Sequence, residues 1–254
     1  MKNDLFTIGN FTIHGYGLMI GIGIIAAYGS AVYRAKRKGL DEDVLDGLAI
    51  WAVLFGLLGA KLLFYITSWK EIMADPSILW KFTDGFVVYG GIIGGILGGY
   101  LYAKRKKISF VKYADLVLPS VALAQGFGRI GCLLAGCCYG LQTDGAFCIV
   151  FKDSDFAPNN VPLLPTQIIS SVLDFAHFFV LIWIARKVKK DGVVASLYLI
   201  FYSIGRFILE FFRGDLIRGS VGVLSTSQFI SLFILAAGIV CLFGSLKKKQ
   251  EVLD

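Results

Sequence analysis

Seven stretches of about 20 apolar residues, each long enough to cross the hydrocarbon core of a bilayer, constrain this chain more than any other feature. The chain is 56% hydrophobic and only 17% charged, which is too apolar for an ordinary soluble domain. We therefore predict an all-α integral membrane protein, a bundle of about seven transmembrane helices that forms a single polytopic domain over residues 1–254. The predicted spans are residues 12–33, 46–67, 86–103, 114–135, 165–185, 193–212 and 227–245.

The net charge of +7 does not indicate a nucleic-acid partner, because the basic residues concentrate in alternate connections between the spans. The connections between these basic groups are mixed or acidic. The positive-inside rule then places the N-terminus outside and the C-terminus in the cytoplasm, with the lipid bilayer as the surrounding partner. The basic groups are Arg34, Lys36, Arg37 and Lys38, residues 104–107, Arg186, Lys187, Lys189 and Lys190, and residues 247–249.

Residues 68–85 alternate large apolar side chains with charged ones and are too polar to span the membrane. We predict an interfacial arm on the outer face, with Trp69 and Trp80 at the level of the lipid headgroups. The span at residues 86–103 is dense in glycine, which indicates close packing of helix backbones. For the longest outer connection, residues 141–163, the sequence leaves open an ordered cap or a mobile loop.

Four ionisable residues interrupt two otherwise apolar stretches, residues 122–140 and 198–213: Arg129, Arg206, Glu210 and Arg213. Each charge at bilayer depth costs roughly 2.5–3.5 kcal/mol, so four unpaired charges would cost about 10 kcal/mol, comparable to the stability of a whole domain. These side chains must therefore pair or line a cavity. The fixed fork of donors on arginine suits phosphate oxygens, which favours a site for a lipid phosphate.

Helical periodicity places the polar residues of two spans on two stripes. The first stripe, within an arc of about 80°, comprises Tyr202, Arg206, Glu210 and Arg213, and the second comprises Arg129, Cys132, Gly136 and Tyr139. If the stripes meet, Arg129 and Arg206 share one cavity open toward the outer leaflet, and a single glutamate leaves positive charge for an anionic headgroup. The alternatives are structural: Arg206 paired with Glu210, Arg213 reaching the outer surface, or Arg129 tied to Glu210.

Two histidines, His14 and His177, complete the set of ionisable candidates. His14 and Tyr16 lie near the outer end of the first span, and no carboxylate lies nearby in the sequence to orient the His14 ring. We therefore favour an interfacial hydrogen-bonding role over proton transfer for His14. His177 and Asp174 are three residues apart and can touch on one helix face, where we expect a tie between helices.

The five cysteines include no CxxC pair and no histidine at zinc-like spacing, so we predict neither a metal site nor a cofactor. Cys132, Cys137 and Cys138 are most simply explained as small residues that pack helices. One alternative is a reactive thiol, activated by the nearby Arg129. Another is an outer disulfide that joins Cys148 to Cys137 or Cys138.

These segments, in this order, resemble the bacterial prolipoprotein diacylglyceryl transferase family. The resemblance rests on HGYGL at 14–18, YGG at 89–91, GRIGCLLAGCCYG at 128–140, PTQ at 165–167 and YSIGRFILEFFR at 202–213, of which the third and fifth are specific. It implies a seven-helix enzyme of the bacterial plasma membrane. Such an enzyme moves the diacylglyceryl group of phosphatidylglycerol onto the lipobox cysteine thiol of a preprolipoprotein, and glycerol phosphate leaves.

The resemblance also assigns residues by motif position. Arg129 and Arg206 would bind the headgroup and act in catalysis, with Glu210 in support. The predicted catalytic residues are Arg129, Arg206, Tyr89 and Glu210, and the predicted substrate-binding residues are Arg129, Tyr16, His14, Gly140, Tyr202 and Arg213.

The chain departs from the better-known members of that family at four positions. Tyr89 stands where those members carry a histidine thought to take part in catalysis, and phenol is a poorer base than imidazole near neutral pH. Cys132 and Cys137 replace an asparagine and a glutamate, and Leu164 replaces a histidine. The alternatives left open are a relative that transfers a phospholipid-derived group to another acceptor, a membrane anion or lipid transporter, and a membrane thiol oxidoreductase.

Overall fold

The computed structural model describes residues 4–8, 11–80, 85–215 and 219–247, and long helices account for most of them. The chain divides into two compact units, residues 34–113 and residues 1–33 with 114–254. The prediction of one domain stays a prediction, and the two units are described separately. The helices are α1 (Gly15–Arg37), α2 (Glu42–Thr67), α3 (Trp69–Ala74), α4 (Val88–Lys106), α5 (Phe110–Ala135), α6 (Thr166–Lys187), α7 (Val193–Glu210) and α8 (Thr226–Lys247), and the strands are β1 (Asp4–Ile8), β2 (Phe11–His14), β3 (Ile149–Val150), β4 (Pro162–Leu163), β5 (Ser220–Val221) and β6 (Leu224–Ser225).

Six helices in the described residues are long and apolar enough to cross a membrane: α1, α2, α5, α6, α7 and α8. They confirm the prediction of an all-α integral membrane protein. The remaining predicted span, residues 86–103, corresponds to α4, which has 19 residues but carries six glycines and three basic residues in its last turn. Whether α4 crosses the bilayer, and which end of the chain lies outside, stay predictions, and residues 248–249 of the last basic group lie outside the described residues.

In the unit of residues 34–113, α2 and α4 pack backbone against backbone. A Cβ atom on Gly94 would stand 2.2 Å from the carbonyl oxygen of Phe55, and one on Gly59 would stand 2.4 Å from that of Gly90. No side chain larger than hydrogen fits at either position without moving a helix. The glycines of α4 therefore serve close packing, as the sequence indicated.

The predicted interfacial arm forms α3 and a 3₁₀-helix at Pro76–Trp80. Trp69 and Trp80 are 61% and 77% exposed, so both rings are available to a surrounding phase, as anchors at headgroup level need to be. Tyr65 in α2 donates a hydrogen bond to the carbonyl oxygen of Leu79 at 3.0 Å, which holds the arm against its own unit. Residues 81–84 of the arm lie outside the described residues.

The other unit is built on α5, α6, α7 and α8, with a core of Ala122, Phe178, Leu181, Val194 and Tyr198. The buried carboxylate of Asp115 in α5 accepts hydrogen bonds from the backbone N–H groups of Gly192 at 2.7 Å and Ala195 at 2.6 Å. Those N–H groups lie at the first turn of α7, where a negative charge also interacts favourably with the positive end of the helix dipole. Asp115 therefore fixes where α7 begins.

The connection at residues 141–163 is an ordered cap rather than an extended loop. Phe151, Ala157 and Leu163 form a small buried core within it, and Phe151 is fully buried. Strands β3 and β4 pair antiparallel across this core. The structure thus decides between the two alternatives that the sequence left open.

A β-hairpin precedes α1, where the sequence predicted only a helical span. Strands β1 and β2 pair antiparallel, and Asp4 lies opposite His14 in the register. The His14 Nδ1 atom lies 2.6 Å from Asp4 Oδ1. The carboxylate that orients this ring is therefore ten residues away in sequence, and the prediction that none lies nearby holds for sequence but is wrong in space.

We expect Gly94→Ala to lower the melting temperature of the purified protein, because its new methyl group must push α2 and α4 apart. Overpacking of this kind costs about 1–3 kcal/mol. Thermal unfolding in detergent micelles measures it. Gly244→Ala in α8 is the matched control, since nothing lies within 4 Å of its added Cβ. Equal melting temperatures for Gly94→Ala and the wild type would contradict the packing.

Candidate functional site

A cavity of about 340 Å³ lies among α5, α6 and α7 and contains both arginines that the sequence placed together. Its floor and walls mix apolar side chains with a few polar ones, a composition typical of ligand sites. The lining residues are Arg129, Ser170, Leu173, Asp174, Ala176, His177, Val180, Phe201, Tyr202, Gly205, Arg206 and Leu209. The prediction that Arg129 and Arg206 share one cavity is confirmed, and its opening toward the outer leaflet stays a prediction.

Arg206 is held by two partners on its own side of the cavity. Its Nη2 atom lies 2.7 Å from Glu210 Oε2, one turn further along α7, although the pair lacks hydrogen-bond angles. The same Nη2 donates a hydrogen bond to Ser227 Oγ in α8 at 2.8 Å. The pair within α7 was one of the structural alternatives, and the structure shows that it exists while Arg206 still faces the cavity.

Arg129 pairs with Asp174 and not with Glu210, which corrects the tie considered from the sequence. The Arg129 Nε atom lies 3.9 Å from Asp174 Oδ2, beyond hydrogen-bond distance. Both residues line the cavity. This pair joins α5 to α6 loosely, and the Arg129 side chain remains 26% exposed.

Arg213 is not on the helical stripe where the sequence placed it, because α7 ends at Glu210. Its Nε and Nη2 atoms donate hydrogen bonds to the two Asp215 carboxylate oxygens at 2.8 and 2.5 Å. Its side chain is only 7% exposed, so the alternative of an Arg213 that reaches the outer surface is also wrong. Burial lowers the pKa of Arg213, but the hydrogen bonds to Asp215 and the neighbouring Cys138 outweigh it and raise the pKa above its usual value.

Each buried arginine of the signature therefore has a carboxylate of its own. The sequence had predicted one glutamate for three arginines. It named Asp174 only as a neighbour of His177, and it did not consider Asp215, two residues after Arg213. The prediction that the arginines carry more positive charge than nearby carboxylates neutralise is therefore wrong for the described residues. The three pairs are Arg129 with Asp174, Arg206 with Glu210, and Arg213 with Asp215.

Gly140 lies at a junction of three backbone segments. Its N–H donates to the carbonyl oxygen of Leu164 at 3.1 Å, and it forms an isolated antiparallel bridge with Arg213. The N–H of Gly214 donates to the carbonyl oxygen of Tyr139 at 3.0 Å. A Cβ on Gly140 would stand 2.5 Å from the Leu164 oxygen, so only glycine fits here.

An aromatic column runs along the wall of the cavity. His177 stacks on Tyr198 with ring centroids 5.1 Å apart, and Tyr198 stacks on Tyr202 at 6.0 Å. Tyr198 also donates a hydrogen bond to Gln125 Oε1 at 3.1 Å. His177 thus ties α6 to α7 through ring contacts, whereas its buried Nε2 atom has no hydrogen-bond partner among the described residues.

Besides Glu210, Gly140 and Arg213, described above, two further predicted site residues of this unit, His14 and Tyr16, are not among the residues that line the cavity. His14 is exposed and paired with Asp4. Tyr16 in α1 lies close to Arg129 and to the cysteines that follow it, at the place where α1 packs on Gly131. Tyr89 belongs to the unit of residues 34–113, where it is 40% exposed, so its role stays a prediction.

The cysteines form a cluster that the sequence spacing did not reveal. The sulfur atoms of Cys132, Cys137 and Cys138 all lie within 4.8 Å of one another. All five cysteines are free thiols, so the disulfide from Cys148 is wrong for this structure. The pattern C-x4-C-C resembles no common metal motif, and only the turn after α5 brings its three members together.

A family model described as prolipoprotein diacylglyceryl transferase matches residues 3–244 of this chain. The chain belongs to that family. It is 52% identical over 239 residues to the phosphatidylglycerol–prolipoprotein diacylglyceryl transferase of Clostridium tetani, which covers 94% of this chain and 96% of that protein. It is 50% identical over 253 residues to the second such transferase of Clostridium perfringens, covering 99% and 98%, and 34% identical over the full length of the Clostridioides difficile transferase.

Family membership directs attention to the residues that the motif alone did not reveal. Asp174 and Ser227 contact the two cavity arginines, and Asp215 holds the third. The sequence analysis named Asp174 and His177 as polar residues one turn apart in an apolar span, but it did not assign them to the cavity. Ser227 and Asp215 carried no such signal, because serines are common in helices and Asp215 follows the last helical residue of α7.

We expect Gly140→Ala to lower the melting temperature by disturbing the junction of residues 139–141, 164–166 and 213–214. The added Cβ would stand 2.5 Å from a backbone oxygen, which cannot rotate away as a side chain can. Gly128→Ala, within the same signature, has nothing within 4 Å of its Cβ and should melt near the wild-type temperature. If both variants melt together, the junction does not depend on the missing side chain.

Proposed function

We propose that this chain transfers the diacylglyceryl group of phosphatidylglycerol to the lipobox cysteine thiol of preprolipoproteins in the bacterial plasma membrane, and that glycerol phosphate leaves. The observation that carries the proposal is that Arg129 and Arg206 line one cavity in a chain that belongs to the prolipoprotein diacylglyceryl transferase family. The relatives named above carry phosphatidylglycerol and prolipoprotein in their names, which supports both substrates.

The size of the cavity supports a lipid headgroup as its ligand. At about 340 Å³ it lies near the lower end of small-molecule sites, which run from about 300 to 1,000 Å³. That volume suits a phosphate and its glycerol, and it excludes two acyl chains. The chains would remain in the bilayer, against exposed apolar side chains on the surfaces of the helices.

The arginines supply what the reaction needs as negative charge moves. When a thiolate attacks the glycerol carbon, charge grows on the departing phosphate, and guanidinium groups already in place stabilise it without reorganisation. Each guanidinium carries five N–H donors, and the contacts described above engage Nη2 of Arg206 and Nε of Arg129. The 3.9 Å separation of Arg129 from Asp174 lets a phosphate compete for Arg129 at little cost.

The remaining predicted site residues take supporting roles in this proposal. Glu210 neutralises and orients Arg206, and Tyr202 offers its hydroxyl to the headgroup from the cavity wall. Gly140 and Arg213 hold the outer junction through their bridge. Tyr16 and His14 would contact substrates on the outer side, with His14 oriented by Asp4.

The direct test is transfer from labelled phosphatidylglycerol to a lipobox peptide, with reconstituted protein. We expect a thioether product with the cysteine peptide and none with the same peptide carrying serine. Restored lipoprotein lipidation in cells that lack their own transferase would support the same conclusion in vivo. Lipid turnover without thioether formation would favour another acceptor.

We expect Arg206→Lys to lower the transfer rate about 10²-fold or more, because lysine keeps the charge but loses the two-pronged donor geometry. Initial rates at saturating lipid measure the loss. Arg186→Lys at the exposed end of α6 is the matched control and should leave the rate unchanged. A near-wild-type rate for Arg206→Lys at normal expression would mean that only net charge matters.

We expect Tyr89→Phe to lower transfer at least about tenfold if the phenol takes part in proton transfer. The substitution keeps the ring and removes only the oxygen. Tyr100→Phe on the same helix, where the ring packs on Phe110, provides the control for loss of a phenol elsewhere on α4. An unchanged rate for Tyr89→Phe would assign the proton to another group.

A further inference from the structure

The three thiols at the end of α5 form a compact cluster beside the cavity. Cys132 lies in the last turn of α5, and Cys137 and Cys138 follow directly after Gly136, whose φ of +77° ends the helix. Their sulfur atoms lie within 4.8 Å of one another, and each residue is partly buried. Arg129, which lines the cavity, is one helical turn before Cys132.

The backbone around the cluster is held in an unfavourable conformation. Cys138 adopts a φ of +60°, in the left-handed region that residues with a Cβ rarely adopt. Successive side chains of an extended segment point to opposite sides, so this conformation lets two adjacent sulfurs converge. Such strain persists only where the surroundings impose it.

Side chains from the start of α6 impose that conformation. Gln167 Nε2 donates to the carbonyl oxygen of Cys137 at 2.9 Å, and Thr166 Oγ1 donates to that of Cys138 at 2.9 Å. The N–H of Cys137 donates to the carbonyl oxygen of Cys132 at 3.1 Å. The cluster is thus fixed by hydrogen bonds from both sides before any ligand arrives.

Arginine side chains lie beside two of the three sulfurs. Arg213 hydrogen bonds Cys138, and Arg129 is close enough to Cys132 to interact with it electrostatically. Three thiolates around a divalent cation carry a net charge of −1, and the N–H donors of these two guanidinium groups would stabilise it although each group also faces a carboxylate. The surroundings therefore suit an anionic metal–thiolate complex.

The geometry also fits a soft cation of tetrahedral preference. Zinc binds thiolate sulfur at about 2.3 Å, which places the sulfurs of one tetrahedron about 3.8 Å apart. The three sulfurs here lie within 4.8 Å of one another, so they need to move only a short distance to reach that spacing. Three protein ligands leave the fourth position open. That is the pattern of reactive zinc sites, whereas structural sites fill all four positions.

We propose that Cys132, Cys137 and Cys138 bind Zn²⁺ and that its open position takes the thiol of the acceptor cysteine as a thiolate. This role rests on the proposed function and deepens it, because transfer to sulfur needs a thiolate. Zinc deprotonates a coordinating thiol outright and holds the sulfur in place. The site then supplies the nucleophile, while Arg129 and Arg206 stabilise the leaving group.

The step balances without any change in the oxidation state of zinc. The acceptor thiol displaces water from zinc and loses its proton. Its sulfur forms a bond to the glycerol carbon, the bond from that carbon to the phosphate oxygen breaks, and the electron pair leaves with glycerol phosphate. The phosphate monoester, with a second pKa near 6, or solvent takes the proton. The thioether product is uncharged and dissociates from zinc, and water takes its place on the metal.

Zinc binding is tested first, without any requirement for activity. The full chain, purified without a histidine tag under reducing conditions, is stripped with chelator, titrated with Zn²⁺, desalted and analysed by elemental mass spectrometry. We expect about one zinc ion per chain. Cys132→Ser, Cys137→Ser and Cys138→Ser should each weaken binding at least about tenfold, as loss of a ligand does.

The matched controls are Cys148→Ser and Cys241→Ser, which remove exposed thiols outside the cluster and should bind zinc as the wild type does. Size-exclusion profiles and melting temperatures identify variants that fail to fold. The proposal is overturned if the folded wild type binds no zinc, if the triple serine variant binds it equally well, or if mass spectrometry finds a disulfide within the cluster of the reduced protein.

The open position is tested with Co²⁺ in place of zinc. A lipobox peptide should strengthen the sulfur-to-cobalt charge-transfer band, and the same peptide with serine should not. Identical spectra with the two peptides would overturn the acceptor role.

Transfer assays separate this inference from the proposed function. Removal of zinc should abolish thioether formation, and added Zn²⁺ should restore it. Full activity of the zinc-free protein in the presence of chelator would overturn the inference and leave the proposed function standing. A zinc-loaded protein that binds the thiol peptide but forms no thioether would instead overturn the proposed function.

Discussion

The structure depends on the requirement that a charge inside an apolar helix bundle find an opposite charge or a polar cavity. Arg129, Arg206 and Arg213 meet this requirement with three carboxylates from three different places: another helix, the same helix and the following loop. The pairs differ in tightness. Arg213 is held by two hydrogen bonds and serves the architecture, whereas Arg129 lies 3.9 Å from its partner and remains partly exposed. This difference in pairing distinguishes Arg213, which maintains the fold, from Arg129, which can exchange its partner for a ligand.

These demands meet at the C-terminal end of α5. Gly140, Arg213 and the start of α6 form one network of backbone hydrogen bonds, and Thr166 and Gln167 extend it to the carbonyl oxygens of two cysteines. The PTQ segment, weak as a motif, therefore has a physical task. It fixes the loop after α5, and with it the distance from the thiols to the arginine one turn before them. A change in this network acts on the cavity and on the thiol cluster together.

The reaction of the family agrees with the chemistry of the groups around the C-terminal end of α5. Transfer of a glyceryl group to sulfur requires an anionic nucleophile and a stabilised anionic leaving group, two negative charges that repel each other. The structure offers guanidinium donors for the leaving group in the cavity, and a cluster of soft ligands beside it that would hold a cation for the nucleophile. Separate sites for the two charges allow each to be stabilised without neutralising the other.

The sequence by itself determined the membrane class, the positions of the long helices and the meeting of Arg129 and Arg206 in one cavity. Those features follow from local rules: span length, helical periodicity and the cost of buried charge. It also indicated the glycine packing of α4, because small residues at helical spacing have few other uses. What only the tertiary structure decided depends on residues distant in the chain. The Asp4 partner of His14 required a hairpin, the departure of Arg213 from its helical stripe required the junction at Gly140, and the Asp174 partner of Arg129 required two helices to meet. The thiol cluster required a left-handed turn that no spacing rule encodes, because it is imposed by hydrogen bonds from another helix.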